Sequence, residues 1–145
     1  MTAYNVYLLA GSISSSLTLI SVNLTAIDIT GSVALTSDIT KNITIKMTSS
    51  EITLQNVNAT GKNVYGIANT IGSNTTKISI MLDNTTIKLA DITSAYFYGI
   101  TNSSYGVNTI TLSSSNIIFD NINANSGNVY VIARYIHTNS TFNLI

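Results

Sequence analysis

Short segments in which apolar and polar residues alternate recur along this chain in a fixed order. The first kind begins with an apolar residue that Tyr follows in four of its copies, and the copies start near Val6, Val33, Val64, Phe97 and Val129. These starts are about 31 residues apart. Alternation with a period of two predicts a β-strand with one buried face. A constant spacing of such segments predicts stacked structural repeats.

Two further kinds of segment follow within each period, always in the same order. The second kind covers residues 17–19, 43–45, 78–80, 110–112 and 142–144. The third kind covers residues 24–26, 52–54, 87–89 and 117–119. No stretch keeps apolar residues at helical spacing long enough to indicate a helix. We therefore predict three short strands per turn and about 4.5 turns, with residues 1–145 forming one repeat domain.

Three short strands in constant order favour an all-β fold, the parallel β-solenoid. One repeat cannot bury its apolar face alone, whereas stacked coils share a continuous core. The alternative is an antiparallel β-sandwich, whose strands also alternate. A sandwich needs no internal repeat and favours Asn-Gly hairpin turns, which do not occur in this sequence. The pattern leaves the handedness of the coil open.

A coil of this length, with turns of variable length, resembles the right-handed β-helices of bacterial or archaeal surface adhesins and pectate-lyase-like extracellular proteins. The resemblance covers the whole repeat array and is architectural, because no family-specific motif accompanies it. It implies a location outside the cell or on its surface. It also allows a polysaccharide-degrading activity, since some β-helices are enzymes.

The composition fits coil-on-coil stacking. Charged residues make up 8% of the chain, the formal net charge is +0, and Pro and Cys are absent. Equivalent outward side chains stack about 4.8 Å apart in such a fold, so columns of like charge are unfavourable. Proline would remove a donor from the strand ladders. Neutrality argues against a nucleic-acid partner, and no apolar run is long enough for membrane insertion.

An Asp/Asn column is the nearest approach to a catalytic constellation. It consists of Asp28, Asn56, Asp91 and Asn121, each followed by a β-branched residue. A functional interpretation is a carboxylate cleft that binds cations or hydrolyses a glycan, which needs two carboxyl groups across one bond. The structural interpretation is a ladder of turn residues, because Asp and Asn tolerate unusual backbone angles. We favour the ladder, and predict no catalytic residues.

The single histidine, His137, lies in a polar loop without a recognisable catalytic partner. One His, no Cys and scattered carboxylates do not predict a metal site, and no phosphate-binding glycine motif is present. We therefore expect neither a metal nor a cofactor, and expect that the protein is not an enzyme.

A tyrosine stripe recurs in the first segments, at Tyr7, Tyr65, Tyr98 and Tyr130. Strict alternation places these rings on the face that also carries Leu9, Ile67, Ile100 and Ile132. If that face points outward, the stripe is an exposed ridge suited to association. If it points inward, the stripe is core. We favour the core, because no polar residue interrupts the stripe.

A second candidate surface lies on the second segments. Thr18, Thr44, Ser79 and Thr111 are predicted to form one outward hydroxyl column. The column resembles the lanes of ice-binding solenoids, but we favour a solvated ladder. Seven Asn-x-Ser/Thr sequences could accept glycans. They begin at Asn23, Asn42, Asn58, Asn74, Asn84, Asn102 and Asn139.

The ends of the array lack the polar capping repeats that solenoids usually carry. The sequence therefore predicts a structural protein: a segment or subunit of an extracellular fibre, sheath or adhesin stalk. Its partners would be copies of itself or neighbouring repeats of a longer chain. The alternative is a module that binds glycans, ice or a cell surface through the threonine or tyrosine residues. A polysaccharide-degrading enzyme is the less favoured third hypothesis.

Overall fold

The computed structural model describes residues 2–136 and 140–145, and it is a parallel β-solenoid of about 4 turns. Each strand pairing in these residues is parallel. The same residues contain no helix, and hence no helix long and apolar enough to cross a membrane. The predicted fold class is confirmed.

Fourteen strands make up the described part of the chain. Their bounds are β1 Thr2–Ile13, β2 Leu17–Ile20, β3 Asn23–Ile39, β4 Thr44–Thr48, β5 Glu51–Tyr65, β6 Ala68–Ile71, β7 Lys77–Asp83, β8 Thr86–Tyr98, β9 Thr101–Ser104, β10 Val107–Ser113, β11 Asn116–Ala124, β12 Val129–Tyr130, β13 Ala133–Ile136 and β14 Thr141–Leu144.

The strands form two sheets. One has the order β14-β10-β7-β4-β2 and contains the second segments. The other has the order β11-β8-β5-β3-β6-β9-β13, with β1 on β3 and β12 on β8. The long strands β3, β5 and β8 join a third segment to the first segment of the next coil. The short strands β6, β9 and β13 are a fourth element per coil that the sequence pattern did not predict.

The core is built from columns of equivalent inward residues. Val6, Val33, Val64, Phe97 and Val129 lie opposite one another in successive coils. Val33, Val64 and Phe97 are 0% exposed, whereas Val129 at the last coil is 46% exposed. Burial of an aliphatic side chain contributes about 2 kcal/mol, so the middle coils hold most of the stability.

Two columns of left-handed residues bend the coil on either side of the third segment. Ser21, Ser49, Asn84 and Ser114 separate the two sheets, with φ between 47° and 53°. Their backbone N–H groups continue the ladder between coils, as in Ser49 N to Asp83 O at 3.0 Å and Asn84 N to Ser113 O at 2.9 Å. The second column is the predicted Asp/Asn ladder. Short polar residues suit both columns, because they tolerate the left-handed conformation better than bulky ones.

Candidate functional site

The tyrosine stripe forms a ladder of stacked rings on the outside of the coil. The ring centroids of Tyr65 and Tyr98 are 5.1 Å apart, and those of Tyr98 and Tyr130 are 5.4 Å apart. The planes in these pairs are inclined by 10° and 4°. Near-parallel stacking at this spacing follows from the pairing of successive coils. Tyr96, on the next outward position of β8, packs 6.3 Å from Tyr98.

The expectation that the tyrosines form the core is wrong for Tyr7, Tyr65 and Tyr130, whereas Tyr98, stacked between Tyr65 and Tyr130, is 3% exposed. The neighbouring Val33, Val64 and Phe97 point inward, so the tyrosines that alternate with them lie on the outer face. Ile67 and Ile100 are nevertheless in the core, contrary to the expectation that they share a face with Tyr65 and Tyr98. Bends at Gly66–Ile67 and Gly99–Ile100 interrupt the strands there, and alternation does not continue across a bend.

Hydrogen bonds and burial fix the tyrosine hydroxyl groups. Asn63 Nδ2 donates to Tyr65 Oη at 3.1 Å, and Asn128 Nδ2 donates to Tyr130 Oη at 3.3 Å. Each pair comes from the recurring Asn-Val-Tyr sequence, in which both polar side chains face outward. Burial raises the pKa of Tyr65 and of Tyr98 above the ordinary value, so both phenols stay neutral at physiological pH.

The ladder has one missing rung. Tyr7 is paired with Ala34, and Tyr65 occupies the equivalent position on the other side of Ala34. In this coil Ser32-Val33-Ala34 replaces the Asn-Val-Tyr of its neighbours, so both outward side chains are smaller. A cavity of about 130 Å³ lies there, bordered by Tyr7, Tyr65 and Ala34. The tyrosine column is therefore interrupted at Ala34, which is 1% exposed.

The Asp/Asn ladder has the geometry of a turn column. Asp28, Asn56, Asp91 and Asn121 have φ between 50° and 56°. Asn56 Nδ2 donates to Asp28 Oδ1, and Asn121 Nδ2 donates to Asp91 Oδ1 at 2.9 Å. The hydrogen bond from Asn121, together with one from Gln55, lowers the pKa of the exposed Asp91 carboxyl group. Carboxylates and amides alternate along the column, so each charge receives an amide donor and no like charge is adjacent.

The predicted hydroxyl column is wrong in its register. Thr18 is paired with Lys46 and Thr111 with Met81, whereas Thr44 is paired with Ser79. A slip of two residues keeps every side chain on its face, so alternation alone could not detect the error. The residues fall into two columns. One is Thr18, Lys46, Met81, Thr111 and Asn143, and the other is Thr44, Ser79, Thr109 and Thr141.

The true hydroxyl column is continuous over four coils but narrow. Thr44 and Thr141 are exposed, and Ser79 and Thr109 are half-buried. Ser16 extends the column toward the first coil by accepting a hydrogen bond from Thr44 N at 3.0 Å. The neighbouring column contains Lys46 and Met81, whose side chains are longer than those of serine and threonine. This face is therefore not a flat two-dimensional array of hydroxyls.

The possible glycan acceptors differ in accessibility. Asn102 is half-buried in β9, and Asn139 lies outside the described residues. Asn42 Oδ1 accepts from Lys77 N at 2.8 Å, and Asn58 Oδ1 accepts from Thr60 N at 3.2 Å. The exposed acceptors are Asn23, Asn42, Asn58, Asn74 and Asn84.

The sequence also raised the single histidine and a metal site as candidates. His137 lies outside the described residues. Over residues 2–136 and 140–145, no three His, Cys, Asp or Glu side chains are grouped closely enough to hold a metal ion.

The two end coils present apolar surface along the axis of the solenoid. Leu17, Leu19 and Leu24 of the first coil are half-buried, although the equivalent Ile45, Met47 and Ile52 are at most 2% exposed. At the other end, a cavity of about 340 Å³ opens between the sheets. Its apolar lining includes Ile117, Phe119, Ile132 and Phe142.

Fold and surface together define a class of protein, a parallel β-solenoid with a lateral tyrosine ladder and apolar end coils. Comparison with known protein families, with curated proteins and with solved structures finds no match.

The sequence pattern did not predict a buried asparagine in β10. Asn108 is 1% exposed and is paired with Ile78 in the core-facing register. Its Nδ2 donates to Ile71 O at 3.0 Å, to Tyr105 O at 2.5 Å and to Ser104 Oγ at 3.1 Å. The signal in the sequence is a polar residue at an inward position of the alternating segment Val107–Ser113. The asparagine ties the turn before β10 to the coil before it.

Proposed function

We propose that this chain is a non-catalytic structural protein, a segment or subunit of an extracellular fibre, sheath or adhesin stalk. Its coils would stack on those of other copies or on neighbouring repeats of a longer chain. The observation that carries the proposal is the loss of burial in the end coils of several core columns. Val64 and Phe97 are 0% exposed and Val129 is 46% exposed in the same column. A further coil would restore that burial.

Axial stacking would use backbone groups as well as apolar surface. β2 and β14 end the strand order of one sheet, and β11 and β13 end that of the other, with β1 and β12 each paired on one side only. Free strand edges pair readily with further strands. Pairing and burial therefore act in the same direction, along the axis of the coil. The small number of charges adds little repulsion between successive coils.

The bend at Val131–Ile132, which we call a corner of the coil, limits the shape of any further coil stacked on it. A Cβ at the equivalent Gly99 would lie 2.0 Å from Val131 O of the next coil. Two corners of the same length can therefore stack only when the first of the two coils has glycine at this position. Val131 carries a side chain, and a coil on it would need a corner of different length. Such a difference in length occurs between the first two coils. Tyr7 is paired with Ala34 and Ala10 with Thr36, so the segment between the pairs is one residue longer in the first coil. The two sheets could then continue while the corner adapts.

An extracellular location is part of the proposal. It is supported by the resemblance to extracellular β-helices and by the exposed glycan acceptors on the lateral surface. Modification at Asn23 or Asn58 would leave the axial faces free, because both side chains point outward from strands.

Val129→Lys should block axial association, and Ile118→Lys should leave it intact. Both residues lie in the last coil and are similarly exposed, at 46% and 42%. Val129 belongs to an inward column, whereas Ile118 is paired with Lys88 on the lateral surface. A lysine buried without a partner would weaken association by about a hundredfold or more. Sedimentation velocity over a range of concentrations measures this difference.

Electron microscopy of the unmodified chain should show rods or filaments whose length increases with concentration. A stable, compact monomer at every concentration would contradict the proposed function. Equal association of the two lysine variants would contradict the axial contact specifically.

A further inference from the structure

The outer edge of β11 is a strand position without an occupant in the described part of the chain. There the second segments form five strands, whereas the third segments form four, within β3, β5, β8 and β11. Asn116 N donates to Thr85 O of β8 at 2.9 Å, and the backbone groups of successive residues in a strand point to opposite sides. The N–H groups of Ile117 and Phe119 therefore point away from β8, toward the open edge.

The inward side chains of β11 are incompletely covered at the same edge. Ile87 and Leu89 of β8 are at most 1% exposed. Their partners Ile117 and Phe119 are half-buried, and both border the apolar cavity of about 340 Å³ in the last coil. The edge therefore combines backbone hydrogen-bonding groups with an apolar surface, which are the two requirements for binding an added strand.

A stack of copies in the register of the proposed function would leave this position empty. The strands β12, β13 and β14 belong to the fifth coil, whereas β11 belongs to the fourth. If β1 and β2 of the next copy lie on β12 and β14, the third segment of that copy, in its β3, lies two strand spacings from β11. Two spacings of about 4.8 Å leave roughly 10 Å between them, which is the room that one strand needs.

We infer that the edge of β11 binds one extended segment of a different polypeptide as a parallel strand. The register of β11 on β8 requires this segment to carry apolar side chains opposite Ile117, Phe119 and Ile122. A second copy could supply such a strand only by opening its own coils, because the third segments are paired within their own chain. The inference rests on the proposed function, since the segment would fill the position that stacked copies leave open.

The outer face of β11 specifies the polar residues of the segment. Asp120 is exposed, and a lysine opposite Ile118 would lie diagonal to it, within reach of a long side chain. Asn121 donates to the Asp of the coil before it, so the alternation of the Asp/Asn ladder favours Asp opposite Asn121. The sequence of β8, placed on β11 in its native register, meets both requirements through Lys88 and Asp91.

The test is the fluorescence anisotropy of a labelled peptide with the sequence of residues 85–95, TTIKLADITSA, titrated with the Val129→Lys variant. This variant should not stack, and Val129 does not border the cavity, so failure of peptide binding and failure of self-association are separate results. We expect a dissociation constant on the order of 100 µM. Hydrogen exchange measured by NMR should slow at the N–H groups of Ile117 and Phe119 when the peptide is added.

Matched variants separate strand addition from general surface binding. Ile117→Gln should weaken peptide binding about tenfold, because the added strand would bury the new amide without a partner. Ile118→Gln, on the outer face of the same strand, should leave the affinity within about twofold. A peptide carrying Leu89→Asp should also bind about tenfold more weakly to the chain with Ile117 intact, so the test does not depend on how Ile117→Gln folds.

Three results would overturn the inference. The first is unchanged exchange at Ile117 and Phe119 in the presence of millimolar peptide, and the second is equal affinity of the Leu89→Asp peptide. The third is slow exchange of these two N–H groups in the unmodified chain without peptide, since a second copy would then cover β11.

Discussion

Gly66→Ala should destabilise the solenoid by about 3 kcal/mol, the upper part of the range for overpacking in a close-packed interior. A Cβ added at Gly66 would lie 1.8 Å from Gly99 O and 2.8 Å from Gly99 C. Both are backbone atoms of the next coil, so no side chain can move aside. The two coils would have to separate at this corner, which would also weaken the hydrogen bond from Gly66 N to Tyr98 O.

Gly11→Ala is the matched control for Gly66→Ala. A Cβ at Gly11 would have its nearest neighbour, Tyr7 Cδ2, at 4.0 Å, which is an ordinary contact. We expect its effect to stay within about 1 kcal/mol, because alanine mainly restricts the unfolded chain. Urea unfolding followed by circular dichroism measures both variants. A midpoint for Gly66→Ala equal to that of Gly11→Ala would contradict the close approach of the coils at this corner.

Asn108→Asp should cost about 3 kcal/mol or more at neutral pH. The substitution replaces the donating amide by a carboxylate that faces Ile71 O and Tyr105 O, both of which are acceptors. Asn108 is 1% exposed, so water cannot compensate. Asn116→Asp makes the same chemical change at an exposed position of β11 and should have little effect.

The loss caused by Asn108→Asp should depend on pH in a defined direction. Burial beside acceptors raises the pKa of the new carboxyl group above its ordinary value of about 3.9. The folded state then binds protons more tightly than the unfolded state. The variant should therefore recover stability as the pH falls toward 4, and lose it as the pH rises through the raised pKa. Thermal unfolding at several pH values checks this, and a loss independent of pH would contradict the buried contacts of Asn108.

The fold was predictable because its signals are local and repeated. Alternation gave the strands, and the recurrence of Val6, Val33, Val64, Phe97 and Val129 gave the coil, which the structure pairs in that order. The Asp/Asn ladder was predictable for the same reason, since the side chain preferred at a left-handed bend is visible in each repeat.

The surfaces were less predictable, because they depend on register and on bends. Alternation places Thr18 and Thr44 on the same face, but only the pairing of Leu17 with Ile45 puts them in different columns. The bend at Gly66–Ile67 turns Ile67 into the core although Tyr65 points outward. The interruption of the tyrosine column at Ala34 could also be predicted only with the register of the coils. A small residue in one repeat forms a cavity only when its neighbours in the stack are known to be Tyr7 and Tyr65.

Cross-linking between copies is the most direct test of the central claim, that these coils stack beyond a single chain. Thr18 and Asn143 lie in one outward column at opposite ends of the second sheet, and the chain has no cysteine. Head-to-tail stacking would bring Thr18 of one copy beside Asn143 of the next. Neighbouring strands are about 4.8 Å apart, which is within the range for a disulfide.

The measurement is a non-reducing gel of the Thr18→Cys, Asn143→Cys double variant after mild oxidation. Axial stacking should give a ladder of disulfide-linked multimers. Thr53→Cys, Asn143→Cys, with one cysteine on the other sheet in the middle of the stack, should give no such ladder. A double variant that stays monomeric, or equal ladders from both pairs, would contradict axial stacking in this register.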